Sequence, residues 1–114
     1  MTFEFSSRQR IRQSKEFEAA FRHKAITNKW FAIHLVDSKH NIARLGMVVS
    51  KRIIPLSVNR NIAKRLIREC FRLNAAKLPA LDFIVRIKRK LSNESVNEAK
   101  NALLQLMLNS KSND

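Results

Sequence analysis

Apolar residues recur along this chain with two different periods, and the change of period marks the elements. Ser14 offers a helix N-cap, and Glu16 with Phe17, Ala20 and Phe21 at i, i+3 and i+4 predicts a short amphipathic helix ending near His23. Trp30 to Val36 (WFAIHLV) is short, apolar and bounded by polar clusters, which predicts a strand. Trp30, Ala32, His34 and Val36 would share one face, and Phe31, Ile33 and Leu35 the other. Asp37 to Asn41 is a polar turn, and Ile42 to Ser50 a second strand expected to pair antiparallel with the first. Gly46, inside that strand, points to a bulge or a close backbone approach. Lys51 to Ser57 carries Pro55 and reads as loop, Asn59 to Leu73 as a helix and Leu81 to Lys88 as a strand. Ser95 to Asn109 is a last helix, with Ser95 and Glu98 at capping-box spacing. Its apolar stripe is Ala99, Ala102, Leu103, Leu106 and Met107. A helix between two strands allows those strands to run parallel, so the sheet is expected to be mixed, in a single α+β domain.

The helix Asn59–Leu73 divides sharply around its circumference. With Arg60 at zero and about 100° per residue, Lys64, Arg65, Arg68 and Arg72 fall between roughly 40° and 140°. Ile62, Ala63, Leu66, Ile67 and Cys70 fall between roughly 200° and 340°, with Phe71 near the edge beside Arg60. One flank is built to pack on a sheet. The other presents arginines with Lys64, and only Glu69 stands among them to neutralise charge through helix-surface pairs. Arginine's planar fork suits phosphate and stacks on bases. A solvated surface is the plain alternative for any run of charge, and for the Lys88-Arg89-Lys90 run the two readings stand level.

Composition sharpens the choice. Lys and Arg number 23 against 9 acids, a net charge of +14, and the pI is near 11.2. Self-repulsion of that size opposes folding, so a polyanionic partner is expected: nucleic acid first, an anionic membrane surface second. At 114 residues and 45% apolar, the chain has room for one modest core. The single cysteine, Cys70, cannot close an internal disulfide and reads as a small core residue, and nothing near Met1 resembles a signal peptide, so a cytoplasmic location is expected. Nucleophile–base pairs, paired carboxylates and phosphate-cradling glycine loops are missing from the sequence, and His23, His34 and His40 lack ligand spacing. The expected domain covers residues 14–109, with an arm at 1–13 and a tail at 110–114.

Arg60-Asn61-Ile62-Ala63-Lys64-Arg65-Leu66-Ile67-Arg68-Glu69, followed by Phe71-Arg72, closely resembles the signature of the bacterial ribonuclease P protein family, R-N-R-x-K-R-[LV]-[IT]-R. Three further segments agree in order and spacing: Arg12 to Phe21, Arg44-Leu45-Gly46 with Val49-Ser50-Lys51-Arg52, and Leu78-Pro79 with Asp82-Phe83-Ile84-Val85. Ile62 stands where the motif commonly has Arg, and Ile54-Pro55 where it has a glycine.

The resemblance implies an α-β-β-β-α-β-α order of the ribosomal protein S5 domain 2-like type, with one more short strand and a left-handed crossover through the basic helix. It implies contact with a catalytic RNA subunit through Arg60, Asn61, Lys64, Arg65 and Arg68, to which Arg72, Lys51, Arg52 and Arg12 are added as neighbouring cations. It implies a cleft for the 5′ leader of precursor tRNA at Phe17, Phe21 and His34, although helix aromatics at the spacing of Phe17 and Phe21 are more often plain core, and both roles can hold. The holoenzyme would be an endoribonuclease whose chemistry belongs to a magnesium-dependent RNA, with no membrane and no small-molecule substrate involved. The rival readings are a ribosomal or general RNA-chaperone protein, a DNA-binding regulator and a membrane-surface protein. Strand and proline-bearing loop before the basic helix oppose the DNA reading, and the apolar face needed for the core opposes the membrane reading.

Overall fold

The computed structural model describes residues 25–37 and 41–109. The elements are β1 (Ala25–Thr27), β2 (Phe31–Asp37), β3 (Arg44–Val48), α1 (Ser57–Asn74), a 3-10 turn (Ala75–Lys77), β4 (Leu81–Ile87) and α2 (Val96–Asn109). The arm, the first predicted helix and the tail lie outside the described residues, as do Arg12, Phe17 and Phe21. The strand implied by the resemblance alone is β1, whose three residues are too few to show a period.

The sheet runs β1-β2-β4-β3. This corrects the expected hairpin: β2 and β3 are not neighbours, because β4 lies between them. β4 pairs antiparallel with all of β2, from Phe31↔Ile87 to Asp37↔Leu81. It pairs parallel with β3, from Arg44↔Asp82 to Val48↔Arg86. The physical reason lies in β4 itself. Phe83, Ile84 and Val85 are buried in succession, which suits a strand packed on both faces, and β4 ladders with β2 on one edge and with β3 on the other. The short connection after β2 therefore crosses one strand, a span of about 9–10 Å. Asn41, in that connection, takes a left-handed conformation (φ 59°), which asparagine tolerates better than most residues.

Phe31 and Ile33 of β2, Leu45 of β3, and Phe83, Val85 and Ile87 of β4 face the main core together with Ala63, Ile67, Phe71, Leu103 and Met107 from the helices. Trp30, expected on the face of Ala32 and His34, belongs to this core instead, because β2 begins only at Phe31 and Trp30 precedes the strand's alternation. The opposite face carries a smaller cluster around Ile84 with Val36 and Val48, and Ala32 and His34 are buried there too. Gly46 makes no bulge. Its register with Ile84 is unbroken and its φ is not positive.

The turn between β1 and β2 is fixed by Asn28. Its Oδ1 accepts from the backbone N–H groups of Trp30 and Phe31 at 2.9 and 2.8 Å, and its Nδ2 donates to the Ala102 carbonyl of α2 at 3.0 Å. The capping box expected at α2 is used otherwise. The Ser95 hydroxyl bonds Ser92, while Glu98 accepts the Trp30 indole N–H at 2.7 Å.

Candidate nucleic-acid interface

α1 is laid against the sheet by Ala63, Leu66, Ile67, Cys70 and Phe71, all buried. Phe71 meets Phe83 of β4 edge to face, with ring centroids 6.1 Å apart. The Cys70 thiol donates to the Lys100 carbonyl of α2 at 3.9 Å, and burial pushes its pKa up to about 11. The thiol is a core group rather than a nucleophile. Ile62 departs from expectation: it is 39% exposed. Because Phe71 is buried, the packed arc is turned toward Arg60, and the azimuth near 200° is left outside.

With the apolar flank committed, the cations fall into two groups. Arg60 is half-buried, and its guanidinium donates to the carbonyls of Ile54 and Pro55 at 3.1 and 2.6 Å. It closes the loop that leads into α1, beside the buried Ile54. Ser50 holds the same loop from its other end: its carbonyl accepts from Ile53 and Ile54, and its hydroxyl from Arg52 and Ile53. Arg72 donates to Glu69 at 2.7 Å. That bond, with the charges of Arg72, Lys100 and Arg65, holds the Glu69 carboxyl below the ordinary range.

Lys64, Arg65 and Arg68 are the second group. None of them bonds or pairs with another described residue, and Arg65 and Asn61 are exposed. Lys51 and Arg52 stand exposed on the pinned loop just before the helix. The structure thus brings Lys51, Arg52, Asn61, Lys64, Arg65 and Arg68 to the α1 side of the molecule without an internal partner for the helix cations. Arg60 and Arg72 are drawn into intramolecular bonds. This division was not visible in the sequence, which showed only which cations share a flank.

His34 lies apart from this strip, buried on the opposite sheet face, where its backbone is in register with Ala25 and Ile84. On the same face Arg44 grips Asp82 with two hydrogen bonds of 2.9 Å each. The pair joins β3 to β4 at residues that are already register partners. Sequence reasoning had found both residues only as motif letters and missed the pairing.

Among the described residues no three His, Cys, Asp or Glu side chains come together to hold a metal ion. Three of the described carboxylates are engaged elsewhere: Asp82 with Arg44, Glu69 with Arg72, and Glu98 with Trp30 and Lys29. These residues do not fit a magnesium site. No helix among the described residues is long and apolar enough to cross a membrane.

A single α+β domain with a four-stranded mixed sheet, carrying a cationic helix face, defines the class: a small basic protein of the ribonuclease P type. Residues 5–111 match the family model described as Ribonuclease P. Over 105 residues the chain is 33% identical to the ribonuclease P protein component of Chromobacterium violaceum, covering 91% of this chain and 87% of that protein. A 71-residue stretch is 46% identical to the ribonuclease P protein component of Psychrobacter sp. (strain PRwf-1), covering 60% of this chain and 55% of that protein. The RNase P protein of Staphylococcus aureus superposes with a TM-score of 0.80 at 27% identity, over 90% of this chain and 95% of that one. The chain belongs to the bacterial ribonuclease P protein component family.

Proposed function

We propose that this protein is the accessory subunit of a ribonuclease P holoenzyme. It binds the catalytic RNA through the α1 strip and the 5′ leader of precursor tRNA on the opposite sheet face, and so assists removal of the leader. The observation that carries the reading is the set Lys64, Arg65 and Arg68 on one helix flank, with no hydrogen-bonded or ion-paired carboxylate among the described residues. Such a set offsets phosphate repulsion and releases counterions on binding. Leaving charge unneutralised on a chain of net charge +14 opposes folding, and a polyanionic partner offsets that cost.

Hydrolysis of the phosphodiester belongs, in this reading, to the RNA subunit with its magnesium, and the protein supplies charge and position. Lys51 and Arg52 of the preceding loop, with Asn61 of α1, border the RNA contact. Of the three leader-cleft residues that the resemblance implies, His34 is the described one, buried on the sheet face away from the α1 strip, and it is assigned to the leader side. The holoenzyme is a cytoplasmic endoribonuclease of tRNA processing. The rival RNA-chaperone reading uses the same strip but stimulates no cleavage.

Cleavage of precursor tRNA by a bacterial ribonuclease P RNA at low magnesium, with and without the protein, separates the two. Stimulated cleavage, together with tighter binding of precursor than of leaderless tRNA only when the protein is present, supports the proposal. RNA binding with no gain in cleavage supports the chaperone.

A further inference from the structure

The turned arc of α1 leaves an apolar edge beside the cations. Val58 and Ile62, one helical turn apart, are 67% and 39% exposed. Next to them a cavity of about 230 Å³ opens between the start of α1 and the segment entering α2, lined by Asn59, Ile62, Leu91, Ser92, Asn93 and Val96. This is below the roughly 300–1,000 Å³ of sites for drug-sized ligands, and suits a single ring system.

Its chemistry is specific in kind. Ile62, Leu91 and Val96 give an aliphatic bed, and no charged side chain lines it. The Ser92 hydroxyl is engaged with Ser95, whereas the amides of Asn59 and Asn93 make no hydrogen bond to another described residue. A side-chain amide offers two donors and an acceptor, the pattern that reads the edge of a base. The surroundings are cationic: Arg65 lies at i+3 from Ile62 on the helix surface, and exposed Lys90 directly precedes Leu91. A neutral planar heterocycle carried on an anionic backbone complements both features at once.

We propose that this cavity receives one unstacked nucleobase of the RNA subunit, its edge met by Asn59 and Asn93 and its face resting on Ile62, Leu91 and Val96. The inference rests on the reading of α1 as the RNA-binding helix. Sequence-specific contacts to RNA commonly take splayed-out bases of this sort, held between apolar side chains and polar edge groups.

The test is binding of the full-length protein to a ribonuclease P RNA across a salt series, with dimethyl sulfate probing of base edges. Ile62→Ala with Asn93→Ala removes part of the bed and one edge group at exposed positions, and an unchanged Tm verifies the fold. A base contact neutralises no phosphate, so affinity should fall about tenfold while the slope of log K against log salt stays as in the native protein. One unpaired base protected by the native protein should become reactive with the double variant. Native-like affinity, or no change in protection, overturns the proposal. A slope reduced by about one would assign the cavity to a phosphate and overturn it equally. Concentration-dependent self-association that the double variant abolishes would assign the cavity to a second copy of the chain. Arg65→Ala run alongside tests the parent reading separately, since its slope must fall even if the cavity is empty of base.

Discussion

Arginines of one helix flank do different work, and the geometry separates them. Arg60 satisfies the Ile54 and Pro55 carbonyls, so Arg60→Ala should cost about 1 kcal/mol of stability in urea unfolding. Arg65 touches no described partner, so Arg65→Ala should leave stability within about 0.5 kcal/mol of native while weakening RNA binding. Equal destabilisation by both substitutions would contradict the division. Among the described core residues, Cys70 carries a marked pH effect. Its pKa rises from 9.0 to about 11 on burial, so the unfolded chain gives up its proton first. The stability associated with the protonated thiol is fully present below pH 9 and is lost as pH rises toward about 11. Unfolding followed between pH 8 and 11 should show this loss, and Cys70→Ala should remove that component. Of all this, the sequence displayed Cys70 as core and the shared flank of the cations. It could not display the tie of Arg60 to its loop, because two carbonyls of a proline-bearing turn leave no trace in residue type.

Elements were legible where their period was long enough to repeat. α1, α2 and β4 lie within two residues of their predicted bounds, since each repeats its apolar spacing over several residues. β3 is shorter than predicted because Ile42, Ala43, Val49 and Ser50 are apolar or small without being laddered. The pairing of strands was misread for a different reason. Proximity in sequence favours a hairpin between β2 and β3, but β4 pairs along the whole of β2 and takes the central place, a long-range pairing that residue type does not mark. Asn28 shows what holds this arrangement at its other edge, tying the β1–β2 turn to α2 through Ala102. Asn28→Ala leaves two part-buried backbone N–H groups without that acceptor, and should destabilise by about 2 kcal/mol in a denaturant titration. A change under about 0.5 kcal/mol would show the turn to be held by β2–β4 pairing alone.

At the scale of the molecule, one sheet face carries both described helices and the main core, and the cations of α1 lie outside it. Both described helices pack on the Phe31–Phe83 face, so the cations of α1 are turned away from the core by the packing that builds it. The buried Arg44–Asp82 pair keeps β3 beside β4, and through β3 it fixes where the loop with Lys51 and Arg52 begins. The strip is therefore placed by tertiary structure as much as by helix period. Its role is tested most directly by the salt dependence of binding to a ribonuclease P RNA, comparing the native protein with a Lys64→Ala, Arg65→Ala, Arg68→Ala variant. Loss of three phosphate contacts should lower the magnitude of the slope of log K against log salt by about two to three. A triple variant whose slope matches the native one, with its fold intact, would place the RNA on another surface.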